Sequence, residues 1–210
     1  IDQKIYIIDD NALGDIQVFL KQEVKSTQLS DRAAVELNGR MYSVIIQGNM
    51  YRLDCENTCI DSNPDGILGA ELRRDNSFGS DDTFAVIIDT FHDHRNSVLF
   101  RVNPRGTQYD ALITEEGNDV NPSWDEQWEV ETQTDERGWS VEIKIPLKSI
   151  RFSTSEERPV FGIDFERVIR RRNEFTYWNN HSRNFNFNQV SQAGHLQGME
   201  GLETGRINIA

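Results

Sequence analysis

Residues 139–145 constrain this chain most. Trp139, Val141, Ile143 and Ile145 alternate with Ser140, Glu142 and Lys144. A period of two puts the four apolar side chains on one face of an extended strand, whereas a helix would scatter them around its axis. The pattern predicts a central strand with that face buried and Glu142 and Lys144 directed away from the core. Pro146 ends the run because it brings no N–H to a ladder. Residues 160–167 repeat the pattern, with Phe161, Ile163 and Phe165 on one face and Gly162, Asp164 and Glu166 on the other.

Neighbouring segments read the same way. Thr83 to Asp89 is apolar on both faces and suits a buried central strand. A polar loop, His92 to Asn96, leads to a return strand from Ser97 to Asn103, making a hairpin. Asn103-Pro104-Arg105-Gly106 is a turn, and Gln108 to Thr114 is the next strand. Glu115 to Pro122 reads as a loop; Trp128, Val130 and Thr132 mark a half-buried strand before the turn Asp135 to Gly138. Pro146 to Ile150 suits a short helical turn, Asp31 to Leu37 fits helix or strand, and Phe175 to Gln192 shows no period and reads as a long ordered loop. Strands at this spacing predict an all-β fold, an antiparallel β-sandwich of jelly-roll type with long loops and little helix. With 210 residues and no interdomain linker, one sandwich domain over 1–210 is expected.

Composition narrows the partners. The chain carries 22 basic and 35 acidic residues, a net charge of −13. Phosphate backbones and anionic membranes both need a basic face, so nucleic acid is not an expected partner. The longest apolar run, Phe84 to Ile88, is far short of the ~20 residues of a spanning helix, so no membrane-spanning segment is expected. Without a signal peptide, the chain reads as cytosolic or as the mature part of an exported protein. Cys55 and Cys59 are spaced one residue too far for a redox Cys-x-x-Cys, and both a disulfide and two inert thiols remain open.

Several constellations suggest chemistry. Asp61-Ser62-Asn63-Pro64-Asp65-Gly66 matches the opening of a calcium loop, although Leu72 stands where the closing Glu belongs and Glu71 comes one residue early. Structural calcium is the cation expected, held by Asp61, Asn63, Asp65 and Glu71 or by Asp81, Asp82, Asp89 and Asp93. His92 and His94 could share a transition metal, but no third ligand lies nearby in sequence, and a solvated loop explains them equally simply. Pairing either with Met199 as axial haem ligands rests on residue type alone. Asp125 and Glu126 between Trp124 and Trp128 would suit a sugar subsite, while core rings with solvated acids are the plainer reading. Nucleophile elbows, phosphate loops and zinc-protease motifs are absent from the sequence, so the chain is not expected to be an enzyme. Arg170-Arg171-Arg172 is the one basic run, expected to pair with acids on neighbouring strands.

From Cys59 to Leu202 the chain resembles the module similar to family 9 carbohydrate-binding modules that stands N-terminal to outer-membrane β-barrel proteins in bacteria. The residues that carry this are Asp61 to Gly66, Arg73-Arg74-Asp75, Ser80-Asp81-Asp82 and Asp89 to Asp93, then Phe100-Arg101-Val102-Asn103-Pro104 with Gly106. Trp139 to Pro146 and Gly194-His195-Leu196 with Gly198 complete the match. Residues 1–58 match poorly. The resemblance implies a β-sandwich with structural calcium and a slot in which two rings sandwich the end of a neutral glycan. The first ring falls near Phe78 or Gly79, the second near Phe187, and the donor falls on Arg101. Trp178 and Tyr109 are reserve platforms. Family members that bind sugar carry Trp at both ring positions, so Phe offers a smaller face here. The resemblance also implies a periplasmic, outer-membrane-associated or extracellular location, with a β-barrel or another protein as partner. Two other functions compete with a non-catalytic glycan-binding module. One is a structural or interaction domain that has lost the slot, expected if Arg101 is tied internally and both Phe rings are buried. The other is a fragment of a glycoside hydrolase.

Overall fold

The computed structural model describes the backbone of strands 3–10, 15–22, 34–37 and 40–46, and residues 66–135, 138–153, 159–179, 181–182 and 184–197. The strands are β1 (Gln3–Asp10), β2 (Asp15–Gln22), β3 (Ala34–Leu37), β4 (Arg40–Ile46), β5 (Thr83–Asp89), β6 (Ser97–Val102) and β7 (Gln108–Thr114). After them come β8 (Asp119–Asn121), β9 (Glu129–Asp135), β10 (Gly138–Pro146), β11 (Phe161–Ile169), β12 (Glu174–Tyr177) and β13 (Gly194–Leu196). Among the described residues, the helical pieces between them are short 3-10 turns such as Leu147–Ser149.

Two sheets result. Sheet A runs β3-β4-β2-β1-β10-β9, and sheet B runs β12-β11-β5-β6-β7-β8 with β13 added on β11. Pairing is antiparallel except between β2 and β4, which run parallel. This is the expected all-β sandwich. Trp139, Val141, Ile143 and Ile145 are all buried, Glu142 is exposed, and β10 lies between β1 and β9 rather than at an edge. They meet Phe84, Val86, Ile88, Phe100, Val102, Phe161, Ile163 and Phe165 of sheet B in one core. Deleting one such side chain leaves a cavity the packed neighbours fill only in part, so each is worth several kcal/mol, about 2–5 for a large residue.

Four stretches that the sequence left open or read as loop take definite form. Residues 1–58 carry little of the resemblance, yet β1 pairs with β10 through Ile5↔Ile145 and Ile7↔Ile143. In the stretch Asp31 to Leu37, open between helix and strand, Ala34–Leu37 form strand β3. The stretch 115–122, read as loop, contains a 3-10 turn and β8. The stretch 175–192, read as loop, opens inside β12 and ends in the 3-10 turn Val190–Gln192, just before β13. Strands of three or four residues are too short to show a period, which is why the sequence did not betray them.

Sheet B also has a second apolar layer. Ala85, Ile87, Leu99, Ala111 and Ile113 point away from sheet A and are covered by Phe187 and Val190. The 185–193 segment therefore lies on the outer face of sheet B, and the candidate site is built beside it.

Candidate functional site

Strand register draws five side chains into one line across the outer face of sheet B. Tyr177 of β12 faces Glu166 of β11, which faces Ala85 of β5; Ala85 faces Arg101 of β6, which faces Tyr109 of β7. Arg101 belongs to this face because its neighbours Phe100 and Val102 point into the inner core. The methyl of Ala85 fills little space, so Arg101 reaches over it and its Nη2 donates to Glu166 Oε1 at 2.9 Å. The Arg101 side chain stays 27% exposed while that of Glu166 is 8% exposed. Burial pushes the Glu166 carboxyl above its ordinary value, and the Arg101 guanidinium opposes that rise. Burial also raises the phenols of Tyr109 and Tyr177, the latter helped by the Glu166 charge. Arg101 Nε is buried with no hydrogen-bond partner among the described residues. Such an orphan donor costs roughly 1–3 kcal/mol unless water or a ligand oxygen meets it.

One row along, Asp164 of β11 faces Ile87. It accepts the Phe165 N–H at 2.8 Å and the Asn179 N–H at 3.0 Å, and it is bonded to His181 Nε2. Burial drives its carboxyl upward, against the pull of His181. The ring of Tyr177 stacks on His181 at 4.8 Å and on Phe187 at 6.1 Å between centroids. Residues 160–167 showed Asp164 and Glu166 to be opposite the core. The alternation gave no sign that another segment covers that face, or that Tyr177 and His181 join it.

The expected slot is not open. Phe78 is 6% exposed and Phe187 is 4% exposed, so neither ring offers a free face. Phe78 packs edge-on against Tyr109 at 6.5 Å, and Phe187 belongs to the outer apolar cluster. Both are closed in because each lies against apolar neighbours that a solvent-facing ring would leave wet. Trp178 turns toward the inner core, edge-on to Phe165 at 5.5 Å, and does not join the row. Arg101 and half-buried Tyr109 do come together.

The acidic loops hold their own backbone. Asp81 accepts the N–H groups of Ala70 and Glu71 and the side-chain amide of Asn103, at 2.9, 3.0 and 2.7 Å. Asp82 accepts the N–H groups of Leu68 and Arg170, and Asp89 those of Phe91, Asp93 and His94. Asp93 accepts those of Arg95 and Asn96. Glu71 accepts the N–H groups of Leu72 and Arg73, and the Arg73 N–H and guanidinium lower its carboxyl to about 2. Each N–H takes a lone pair that a cation would otherwise use. Asp61, Asn63 and Asp65, with Cys55, Cys59 and Met199, lie outside the described residues. Asp75, Asp110 and Asp125 converge, but Arg74 Nη2 already sits among them, 2.6 Å from Asp110 and 2.7 Å from Asp125.

The other constellations are structural where described. Trp124 and Trp128 pack edge-on against Phe100 at 5.9 and 5.2 Å, so they are core rings and not the walls of a sugar subsite. In the basic run, Arg172 lies 3.6 Å from Glu174, whereas Arg170 stacks over the Phe175 ring.

Comparison with known proteins adds likenesses of shape. No family description and no curated protein matches the chain. A candidate carbohydrate-binding protein from Bacteroides uniformis is similar, with 12% identity and a TM-score of 0.48 over 59% of this chain; the match spans 64% of that protein, less than two thirds of its length. A family 9 carbohydrate-binding module from Caldicellulosiruptor kristjanssonii, in complex with glucose, is similar over 92% of this chain and 98% of its own, with 13% identity and a TM-score of 0.47. A family 9 module from the same organism, in complex with cellotriose, gives 15% identity and a TM-score of 0.41 over 66% of this chain and 67% of its own. At these identities and scores the likenesses assign no ligand and no residue role to this chain.

Proposed function

We propose that the chain is a non-catalytic, glycan-binding β-sandwich module whose site is the Tyr177–Glu166–Ala85–Arg101–Tyr109 row, not the Phe78–Phe187 slot. The observation that carries this is a partly exposed guanidinium fixed by a buried carboxylate, with half-buried Tyr109 opposite it on the next strand. Neutral sugars are held this way, by ring contact with their C–H faces and by hydrogen bonds from pre-positioned charged groups. Ala85 and Glu166 are buried in the middle of the row, so its accessible part is Arg101 with Tyr109, which suits a small, shallow shelf more than a two-ring sandwich. A shelf of this kind supports weak binding, micromolar to millimolar, on the order of −4 to −8 kcal/mol.

The deciding experiment is titration with neutral oligosaccharides, followed by NMR shifts or calorimetry. Saturable binding that Arg101→Ala abolishes and Tyr109→Ala weakens supports the module. If no glycan saturates the chain up to about 10 mM, a level that would still detect millimolar affinity, the shelf is not a sugar site.

A structural or interaction domain is the second reading. The burial of Phe78 and Phe187 and the Arg101–Glu166 pair favour it. A protein partner such as a β-barrel, and a periplasmic, outer-membrane or extracellular location, belong to either reading and rest on the resemblance of residues 59–202. Among the described residues no helix is long and apolar enough to cross a membrane. Structural calcium stays part of the proposal through the 61–71 loop; a melting temperature that a calcium chelator leaves unchanged would remove it.

A further inference from the structure

Three of the chain's four histidines meet at one end of sheet B. The rings of His92 and His94 are 4.6 Å apart between centroids, His92 and His195 4.9 Å, and His94 and His195 6.3 Å. The register explains the meeting. His195 of β13 faces Gly162 of β11, which in turn faces Asp89 at the end of β5. Gly162 leaves this row open, since a Cβ there would stand 3.0 Å from the Asp89 Cβ. Asp89, fully buried, accepts the N–H groups of Phe91, Asp93 and His94 and so pins the loop that carries the other two rings. Within that loop His92 and His94 both hold left-handed backbone, at φ 52° and 58°, a conformation that non-glycine residues adopt at a cost. His92 Nε2 is buried and has no hydrogen-bond partner among the described residues.

We propose that His92, His94 and His195 form a binding site for one late first-row divalent metal ion of the zinc, nickel or copper class. Neutral imidazole is the common protein ligand for these ions, while calcium and magnesium prefer oxygen. The spacing fits. A ring nitrogen about 2.0–2.1 Å from zinc places its centroid roughly 3.2 Å from the ion, so two rings at a tetrahedral angle stand roughly 5.2 Å apart. The three observed separations bracket that value. The described side chains whose ligand atoms already converge are the Asp75, Asp110 and Asp125 carboxylates; to close on an ion the three imidazoles have to rotate, and His94 and His195 are exposed. Three protein ligands leave a coordination position for water or a further ligand. The sequence showed only His92 and His94; the third imidazole comes from a distant strand.

The test is calorimetric titration of the chain with zinc or nickel alone, in millimolar magnesium and calcium so that the many carboxylates are already occupied. One ion should bind per chain, and His195→Gln and His94→Gln should each weaken it by roughly tenfold or more. Copper(II) should show nitrogen coupling from more than one imidazole in its paramagnetic resonance spectrum, reduced in His195→Gln. Both substituted side chains are exposed, so unchanged circular dichroism is expected to accompany the loss. Failure to saturate near one ion per chain, or equal affinity in the wild type and His195→Gln, overturns the site.

Discussion

The two faces of sheet B come from the same strands and are built on different principles. On the inner face Phe84, Val86, Ile88, Phe100 and Val102 meet sheet A in a continuous apolar core. On the outer face Ala85, Ile87 and Leu99 share the surface with Arg101, Asp164 and Glu166 under a covering segment. The inner face gains from area removed from water, a non-directional effect that tolerates any apolar residue of suitable size. The outer face depends on pairing, because a buried charge without its partner is costly. The first should therefore respond to lost volume and the second to lost complementarity.

The largest effect is expected inside. Phe100→Ala should lose about 3–5 kcal/mol in denaturant unfolding; a loss below about 1 would mean the inner face is not a packed core. Next comes Glu166→Ala, which leaves the Arg101 guanidinium partly buried and unpaired and should lose roughly 1–3 kcal/mol. The double replacement Arg101→Met with Glu166→Leu should lose less than Glu166→Ala alone, since it removes both charges. The reverse order would make the outer face another volume-driven surface. Gly162→Ala should lose about 1–2 kcal/mol through its 3.0 Å approach to Asp89, and it should also loosen the 90–96 loop, visible as faster amide exchange of His94.

The smallest effects are in pH dependence, and they run in opposite directions. Glu166 has its carboxyl raised by burial above 4.5. The folded state then holds its proton more tightly than the unfolded state, so stability falls as pH rises from about 4.5 toward the raised value. Glu166→Gln should flatten that fall. Glu71 is lowered from 4.5 to about 2 by the Arg73 N–H and guanidinium. Its contribution is complete above about 4.5 and is lost as pH drops toward 2, so Glu71→Gln should make the acid limb shallower. Unfolding midpoints measured at pH 2–7 would show both slopes; two slopes of one sign would contradict the contrast between the buried pair and the exposed loop.

Alternation by itself determined the strands that line the core. The Trp139–Ile145 run and the Phe161–Phe165 run carry their burial in the local order of apolar and polar residues, because a strand side chain's face follows from parity alone. Parity also sent Arg101 away from Phe100 and Val102. It left undecided whether the face so chosen meets solvent or another segment. That took the tertiary structure, which laid residues 185–193 over sheet B, buried Phe78 and Phe187, and set Glu166 opposite Ala85 within reach of Arg101. The same holds for His195 beside His92 and for β1 beside β10. Each is a register between strands distant in sequence, fixed by the packing of the whole sandwich and written in no local pattern of residues.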